Sequence, residues 1–151
     1  MPFLDLLPLE RVRSGLVASD KPALLEQLAC LLADADETTV VRDALMSRER
    51  LGSTGLGHGV AIPHGRSAAI NEARAAFVRL KDPIDFGADD RQGVDLVAAL
   101  IVPAHFTDQH LKLLAELAEL FSDSALTDAL RAAPDAIALY AVLRKGLRAE
   151  S

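Results

Sequence analysis

One stretch of the chain limits its fold more than any other. The nine residues Val94–Val102 are apolar apart from Asp95, and they do not alternate between apolar and polar side chains. A strand of this kind is buried on both faces, which places it at the centre of a sheet with helices on either side. The uninterrupted apolar run, Leu96–Val102, has seven residues. A membrane span needs about 20 such residues, so the segment predicts the central strand of a layered fold.

Helical patterns lie on both sides of this strand in the sequence. Capping residues and the spacing of leucines predict helices from the cap at Ser19–Pro22 to about residue 34, from Thr38 or Thr39 to Gly52, from Thr107 to about Phe121, and over about 124–132 and 135–147. A second strand is predicted over Ala75–Leu80, closed by a turn at Lys81–Pro83. Because helices and strands are interleaved, the predicted class is α/β or α+β, in layers around one sheet.

Composition narrows the possible functions. The 151 residues contain no linker or repeat, so we expect a single domain over residues 1–151. The formal net charge is −6 and lysines and arginines form no patch, which argues against nucleic-acid binding. The N-terminus has no signal-peptide pattern, and one cysteine suits a reducing cytosol, so we expect a cytoplasmic protein without membrane insertion. That cysteine, Cys30, lies among leucines and is predicted to be a buried core thiol.

Glycines are concentrated in one segment. Five of the nine glycines lie within the fourteen residues 52–65. Glycine backbones can converge their N–H groups on an anion, so this segment is a candidate phosphate-binding loop. Its candidate residues are Gly52, Ser53, Thr54, Gly55, Gly57 and Gly59. Neither the P-loop pattern nor the dinucleotide-binding glycine pattern occurs, which disfavours a conventional nucleotide site.

His64 is the candidate nucleophile. It follows Pro63, which stiffens the backbone, and precedes Gly65, which keeps steric bulk away. The apolar stretch Val60–Ile62 is interpreted as a buried strand that delivers His64 at its end. A neutral imidazole is nucleophilic near pH 7 and can carry a covalent adduct. A structural or surface role is the alternative for any single histidine.

Two further residues are candidates for the same site. Arg48 shares a helix face with Val41 and Leu45, so its charge is predicted to point inward and to require an anion. The anion is either a phosphate or a carboxylate such as Asp95. His110 falls in the first turn of the helix capped by Thr107, where free N–H groups favour an anion and a neutral imidazole. A half-buried packing role is its alternative.

The other two histidines are not assigned to the site. His58 lies among glycines and His105 in a predicted loop, so both are expected to be solvated. No histidines or cysteines have the spacing of zinc ligands, and we predict no metal.

The glycine-rich segment also resembles a known signature. It closely resembles that of the IIA domains of the bacterial phosphotransferase system, fructose–mannitol type, over Arg48-Glu49-x-Leu51-Gly52-Ser53-Thr54-Gly55-x-Gly57-x-Gly59-x-Ala61-Ile62-Pro63-His64-Gly65. Four further motifs also resemble this family: Asp82-Pro83-Ile84-x-Phe86, Gly93-Val94-Asp95-Leu96, Val102-Pro103 and Gln109-His110-Leu111.

The resemblance implies a fold, a donor and three roles. The fold is a mixed β-sheet sandwiched by helices, and the donor is a histidine-phosphorylated HPr-like carrier. His64 matches the phosphorylated histidine, Arg48 the active-site arginine and His110 the second active-site histidine. No cofactor is implied, because the donor is already an activated phosphohistidine.

Three functions remain open at this point. The motif Pro63-His64-Gly65-Arg66 resembles that of the nitrogen-regulatory branch of the family. This resemblance implies a carrier that regulates nitrogen- or potassium-linked metabolism through protein partners. The absence of fused IIB, IIC or HPr-like segments favours the same branch. The alternatives are a sugar-transport IIA component that passes phosphate to a fructose-type IIB, and a binding module that has kept the fold without the chemistry.

Overall fold

Along the described residues, one strand comes first, then two helices, five further strands and three helices. The computed structural model describes residues 2–34 and 36–150. Of the predicted domain 1–151, residues 1, 35 and 151 therefore lie outside the described part. Two 3₁₀ turns, Phe3–Leu6 and Leu9–Arg11, precede the regular elements. These are β1 (Val12–Leu16), α1 (Lys21–Leu32), α2 (Thr38–Arg50), β2 (Gly55–Gly57), β3 (Val60–Ala61), β4 (His64–Ser67), β5 (Arg74–Ile84), β6 (Val94–Pro103), α3 (Asp108–Leu120), α4 (Ser124–Ala132) and α5 (Ala136–Glu150).

The sheet is mixed, and β6 lies at its centre. Within the described residues the strand order is β1-β5-β6-β3-β2, and β4 also pairs with β6. β5 runs antiparallel to β6, whereas β3 and β4 both run parallel to it. β1 is parallel to β5, and β2 closes the other edge antiparallel to β3. The central position predicted for the apolar segment 94–102 is confirmed.

Two hydrophobic cores cover the two faces of the sheet. Alternate residues of β6 enter different cores, Leu96, Ala98, Leu100 and Val102 on one side and Val97, Ala99 and Ile101 on the other. The first core is completed by α3, α4 and α5, and the second by α1 and α2. A strand that supplies both cores cannot carry a polar face, which explains its unbroken apolar run. The predicted layered class, with a mixed sheet between helices, is confirmed.

The structure corrects three local predictions. The predicted turn at Lys81–Pro83 is part of β5, which continues to Ile84 with a register irregularity after Arg79. The strand Val60–Ile62 ends at Ala61, and His64 instead begins β4. Cys30 is exposed rather than buried, because the inward face of α1 is filled by Leu24, Leu25, Leu28, Ala29 and Leu32.

The packing of α2 against β4 leaves no space for a side chain at Gly65. A Cβ there would lie 2.9 Å from the carbonyl carbon of Ala44 and 3.0 Å from its Cβ. Because the nearest atom belongs to a helix backbone, the two elements could accept a methyl group only by moving apart. This contact holds the middle of α2 against the start of β4.

We therefore expect Gly65→Ala to lower the free energy of unfolding by about 1–3 kcal/mol through overpacking. Urea unfolding monitored by circular dichroism measures the change. Arg66→Ala is the control on the same strand, since Arg66 is exposed and surface changes usually stay within about 0.5 kcal/mol. Equal losses in the two variants would show that the α2–β4 contact is not limiting.

Candidate functional site

An open cleft of about 710 Å³ lies where the end of α2, strand β4 and the start of α3 meet. It is the place where the structure brings His64, Arg48 and His110 together. The cleft is lined by Ala44, Ser47, Arg48, Leu51, His64, Gly65, Arg66, Ala104, Thr107, His110, Leu111 and Leu114.

The ring of His64 is held by a hydrogen bond to the backbone two residues earlier in the chain. Its ring atom Nδ1 lies 2.8 Å from the carbonyl oxygen of Ile62. A carbonyl oxygen can only accept, so this geometry assigns the proton to Nδ1 and leaves the lone pair on Nε2. Burial lowers the pKa of His64, and the Arg48 guanidinium lowers it further against the opposing effects of Ile62 and Glu49. The residue is thus a neutral imidazole near pH 7.

His110 lies beside it with an unsatisfied ring nitrogen. It is the third residue of α3, and its ring centroid is 5.2 Å from that of His64 in an edge-on arrangement. Its Nε2 is buried and has no hydrogen-bond partner within the described residues. Burial, the neighbouring His64 and the Arg66 charge lower the pKa of His110 to about 4. A buried polar atom without a partner costs free energy, and a ligand in the cleft could satisfy it.

Two arginines supply the positive charge of the cleft. Arg48 is half-buried in the last turn of α2, and its Nη1 donates to the carbonyl oxygen of Gly52 at 2.8 Å. The buried face of α2 ends at Glu49 rather than at Arg48, so the prediction that Arg48 points inward is wrong.

Among the described residues, neither arginine of the cleft is paired with a carboxylate. Asp95, the alternative carboxylate partner predicted for Arg48, pairs with Arg131 at 2.9 Å. Within the described part of the chain, neither Arg48 nor Arg66 forms a salt bridge with a carboxylate.

Arg66 is a cleft residue that sequence reasoning missed. It follows His64 by two positions on β4, and alternate residues of a strand face the same side. That spacing was visible in the sequence, but it became informative only once a strand was known to begin at His64. The predicted strand over Val60–Ile62 placed the end of the element before both residues.

The candidate phosphate loop does not enter the cleft. None of Gly52, Ser53, Thr54, Gly55, Gly57 and Gly59 is among the cleft-lining residues. The hydroxyl of Ser53 donates to the carbonyl of Phe86 at 2.7 Å and accepts from the N–H of Gly55 at 3.0 Å. The positive-φ position Gly59 lies against Arg131 and Asp95, which a side chain would displace. The loop reaches the cleft indirectly, through the hydrogen bond from Arg48 to Gly52.

The two remaining histidines are not among the residues that line the cleft. His58 and His105 are both exposed, as expected. Among the residues placed in the structure, no group of three or more His, Cys, Asp or Glu side chains is arranged to hold a metal ion. In the same residues, no helix combines the length and apolarity that crossing a bilayer requires.

Comparison with known proteins decides the family. A model of the family described as "Phosphoenolpyruvate-dependent sugar phosphotransferase system, EIIA 2" matches residues 5–146. The chain belongs to this family. A nitrogen regulatory protein of Bradyrhizobium diazoefficiens is 40% identical over 145 residues, which cover 95% of each chain.

Two solved structures have the same fold as this chain. Nitrogen regulatory protein IIA-Ntr from Neisseria meningitidis matches with a TM-score of 0.87 and 37% identity, over 93% of this chain and 97% of that one. Enzyme IIAMTL from Escherichia coli, solved in complex with phosphorylated enzyme IIBMTL, matches with a TM-score of 0.76 and 20% identity. That match covers 93% of this chain and 99% of the other. The resemblance noted in the sequence is confirmed.

The lowered pKa of His110 predicts a loss of stability in acid. An unfolded histidine titrates near pH 6.5, so between about pH 6.5 and about 4 the unfolded chain binds a proton that the folded chain does not. We expect the free energy of unfolding to fall through this window by up to about 3 kcal/mol on account of His110. Urea unfolding at several pH values measures it, and His110→Gln, which cannot titrate, should show a shallower dependence. The same slope in both proteins would contradict the assignment.

Proposed function

We propose that this EIIA 2 protein is a phosphoryl carrier that accepts a phosphoryl group on Nε2 of His64 from an HPr-like phosphohistidine donor. The single observation that supports this most is the hydrogen bond from Nδ1 of His64 to Ile62. It leaves a neutral, unprotonated Nε2 on a histidine that lines an open cleft. A nucleophile must have a free lone pair at the moment of attack.

The transfer step is an in-line exchange between two imidazoles. The lone pair of Nε2 forms a bond to phosphorus while the bond from phosphorus to the donor ring breaks. The donor ring, which carries a proton on its other nitrogen, leaves as a neutral imidazole. His64 then carries the phosphoryl group on Nε2 and keeps its proton on Nδ1, where the Ile62 carbonyl stabilises the positive ring.

The surrounding groups are suited to a phosphoryl group in passage. Phosphoryl transfer depends mainly on positioning and on electrostatic stabilisation. Arg48 and Arg66 supply guanidinium donors that match phosphoryl oxygens. The first turn of α3 offers free N–H groups at the same cleft. The Nε2 of His110, which has no partner among the described residues, can donate one hydrogen bond when it carries the proton.

The biological role proposed for the carrier is regulation. The Bradyrhizobium and Neisseria relatives are named as nitrogen regulatory proteins. We infer that the phosphorylation state of His64 controls protein partners linked to nitrogen or potassium metabolism. Addition of a phosphoryl group to His64 places a dianionic group in the cleft that Arg48 and Arg66 line, which changes the charge that a partner meets there.

The alternative acceptor is a fructose-type IIB, as in a sugar-transport component. A chase experiment separates the two: the phosphorylated protein is mixed with a fructose-type IIB, and transfer is followed by mass. Rapid discharge to IIB would assign the protein to transport, whereas a persistent phosphoprotein supports regulation.

His64→Ala should abolish phosphorylation. The protein is incubated with an HPr-like carrier, enzyme I and phosphoenolpyruvate, and intact mass is recorded; wild type should gain one acid-labile, base-stable phosphoryl group. His110→Gln is the matched control, because it removes the neighbouring imidazole and should still be modified on His64. Uptake of a phosphoryl group by His64→Ala would overturn the assignment, and peptide mapping would locate the true acceptor.

Arg48→Ala should slow the transfer without unfolding the chain. Loss of one charge-assisted contact to the transferring group costs about 2–3 kcal/mol, or roughly 30- to 150-fold in rate. Arg66 is more exposed, so Arg66→Ala should cost less, about 1 kcal/mol. Single-turnover transfer from the phosphorylated carrier measures both rates. Unfolding of Arg48→Ala would instead make Arg48 a structural residue.

A further inference from the structure

Glu49 is a buried acid that takes no part in the proposed transfer step. Glu49 follows Arg48 directly, yet its side chain lies beneath the glycine-rich loop and is only 5% exposed. Its carboxylate accepts from both the backbone N–H and the hydroxyl of Thr54, the former at 3.2 Å. On its other oxygen it pairs with Lys21 at 2.9 Å. A buried charge is expensive, and an apolar side chain would serve packing equally well.

From Glu49 a continuous line of hydrogen bonds leads to His64. Thr54, which Glu49 holds by two groups, accepts at its carbonyl oxygen from the N–H of Ile62 at 3.1 Å. The carbonyl oxygen of the same Ile62 accepts from Nδ1 of His64 at 2.8 Å. Ile62, whose carbonyl defines which nitrogen of His64 carries the proton, is therefore anchored at its N–H through Thr54 to a charged group.

We propose that Glu49 is a positioning residue that holds His64 in the Nδ1–H form through Thr54 and Ile62. The importance of that form for transfer rests on the proposed function, whereas the form itself exists in the unphosphorylated protein.

The electrostatics of the site support this role. Glu49 and Arg48 act on His64 in opposite senses, since the carboxylate raises the pKa of the imidazole and the guanidinium lowers it. Neighbouring residues on a helix point about 100° apart, so one end of α2 supplies a cation to the cleft and an anion behind it. Removal of Glu49 would leave the Thr54 N–H and Lys21 without their partner.

The test reads the proton on His64 directly. In protein labelled with ¹⁵N-histidine, the two ring nitrogens report which one is protonated, and we expect Nδ1–H in the wild type. Glu49→Ala should raise the ratio of the Nε2–H to the Nδ1–H form about fivefold, as expected for loss of one oriented hydrogen bond, and should slow transfer from the phosphorylated carrier in proportion to the fall in the Nδ1–H fraction. Glu49→Gln, which keeps an oxygen acceptor for Thr54, should restore part of both.

Glu37→Ala is the matched control. Glu37 pairs with the buried Arg74 at 2.7 Å, so the variant also loses a carboxylate from a partly buried ion pair. None of the hydrogen bonds of Glu37 belongs to the line through Thr54 and Ile62. Its His64 ring should keep the wild-type ¹⁵N pattern.

Each outcome decides the proposal. An unchanged proton position on His64 in folded Glu49→Ala overturns it. If that variant does not fold, Thr54→Val, which removes only the hydroxyl donor, takes its place and should shift the same signals. A shift that occurs in Glu37→Ala as well would reduce Glu49 to a stability role. Failure of wild type to accept a phosphoryl group would refute the proposed function and leave the ¹⁵N result intact.

Discussion

The pairing of two short strands with one edge of β6 is the constraint on which the site depends. Ala61 pairs with Val97 and His64 with Leu100, so β3 and β4 continue in the same register. Only Ile62 and Pro63 lie between them. Pro63 has no N–H to give to the sheet, but its carbonyl accepts from the N–H of Leu100 at 3.0 Å, and the N–H of Ile62 donates to Thr54. The Ile62 carbonyl accepts from the ring of His64, while β6 fixes the backbone on either side.

Sequence reasoning recovered the features that depend on local pattern. The apolar run of β6 predicted a central strand, and the segment Ser19–Pro22 predicted the start of α1. The capping residue is Asp20, whose side chain accepts from the N–H of Ala23. β1 was missed because of its five residues only Val12 is fully buried, so its sequence Val-Arg-Ser-Gly-Leu carries little strand pattern. The break between β3 and β4 was missed because it depends on tertiary contacts. One of these is the hydrogen bond from the N–H of Ile62 to the carbonyl of Thr54, which the local sequence pattern does not reveal.

The glycine-rich loop illustrates what sequence proximity cannot reveal. Its residues are close to His64 along the chain, and they were predicted to surround a phosphate. In the structure its polar groups bind other protein groups, most of them far away in sequence: Ser53 binds Phe86, the His58 backbone binds Asp90 and Arg131, and Thr54 binds the nearby Glu49. Such satisfied groups are unavailable to a ligand. The cleft instead draws its donors from three elements separated in sequence.

The cleft also differs in charge from the protein that carries it. The chain has a formal net charge of −6, yet two arginines and a helix N-terminus face the same space beside two neutral imidazoles. A local positive potential in an acidic protein attracts an anion to one place rather than to the whole surface. Burial is the main cause that lowers the pKa of both histidines, and the arginines add to it, Arg48 at His64 and Arg66 at His110. The charges that attract the phosphoryl group therefore also help to keep the nucleophile unprotonated.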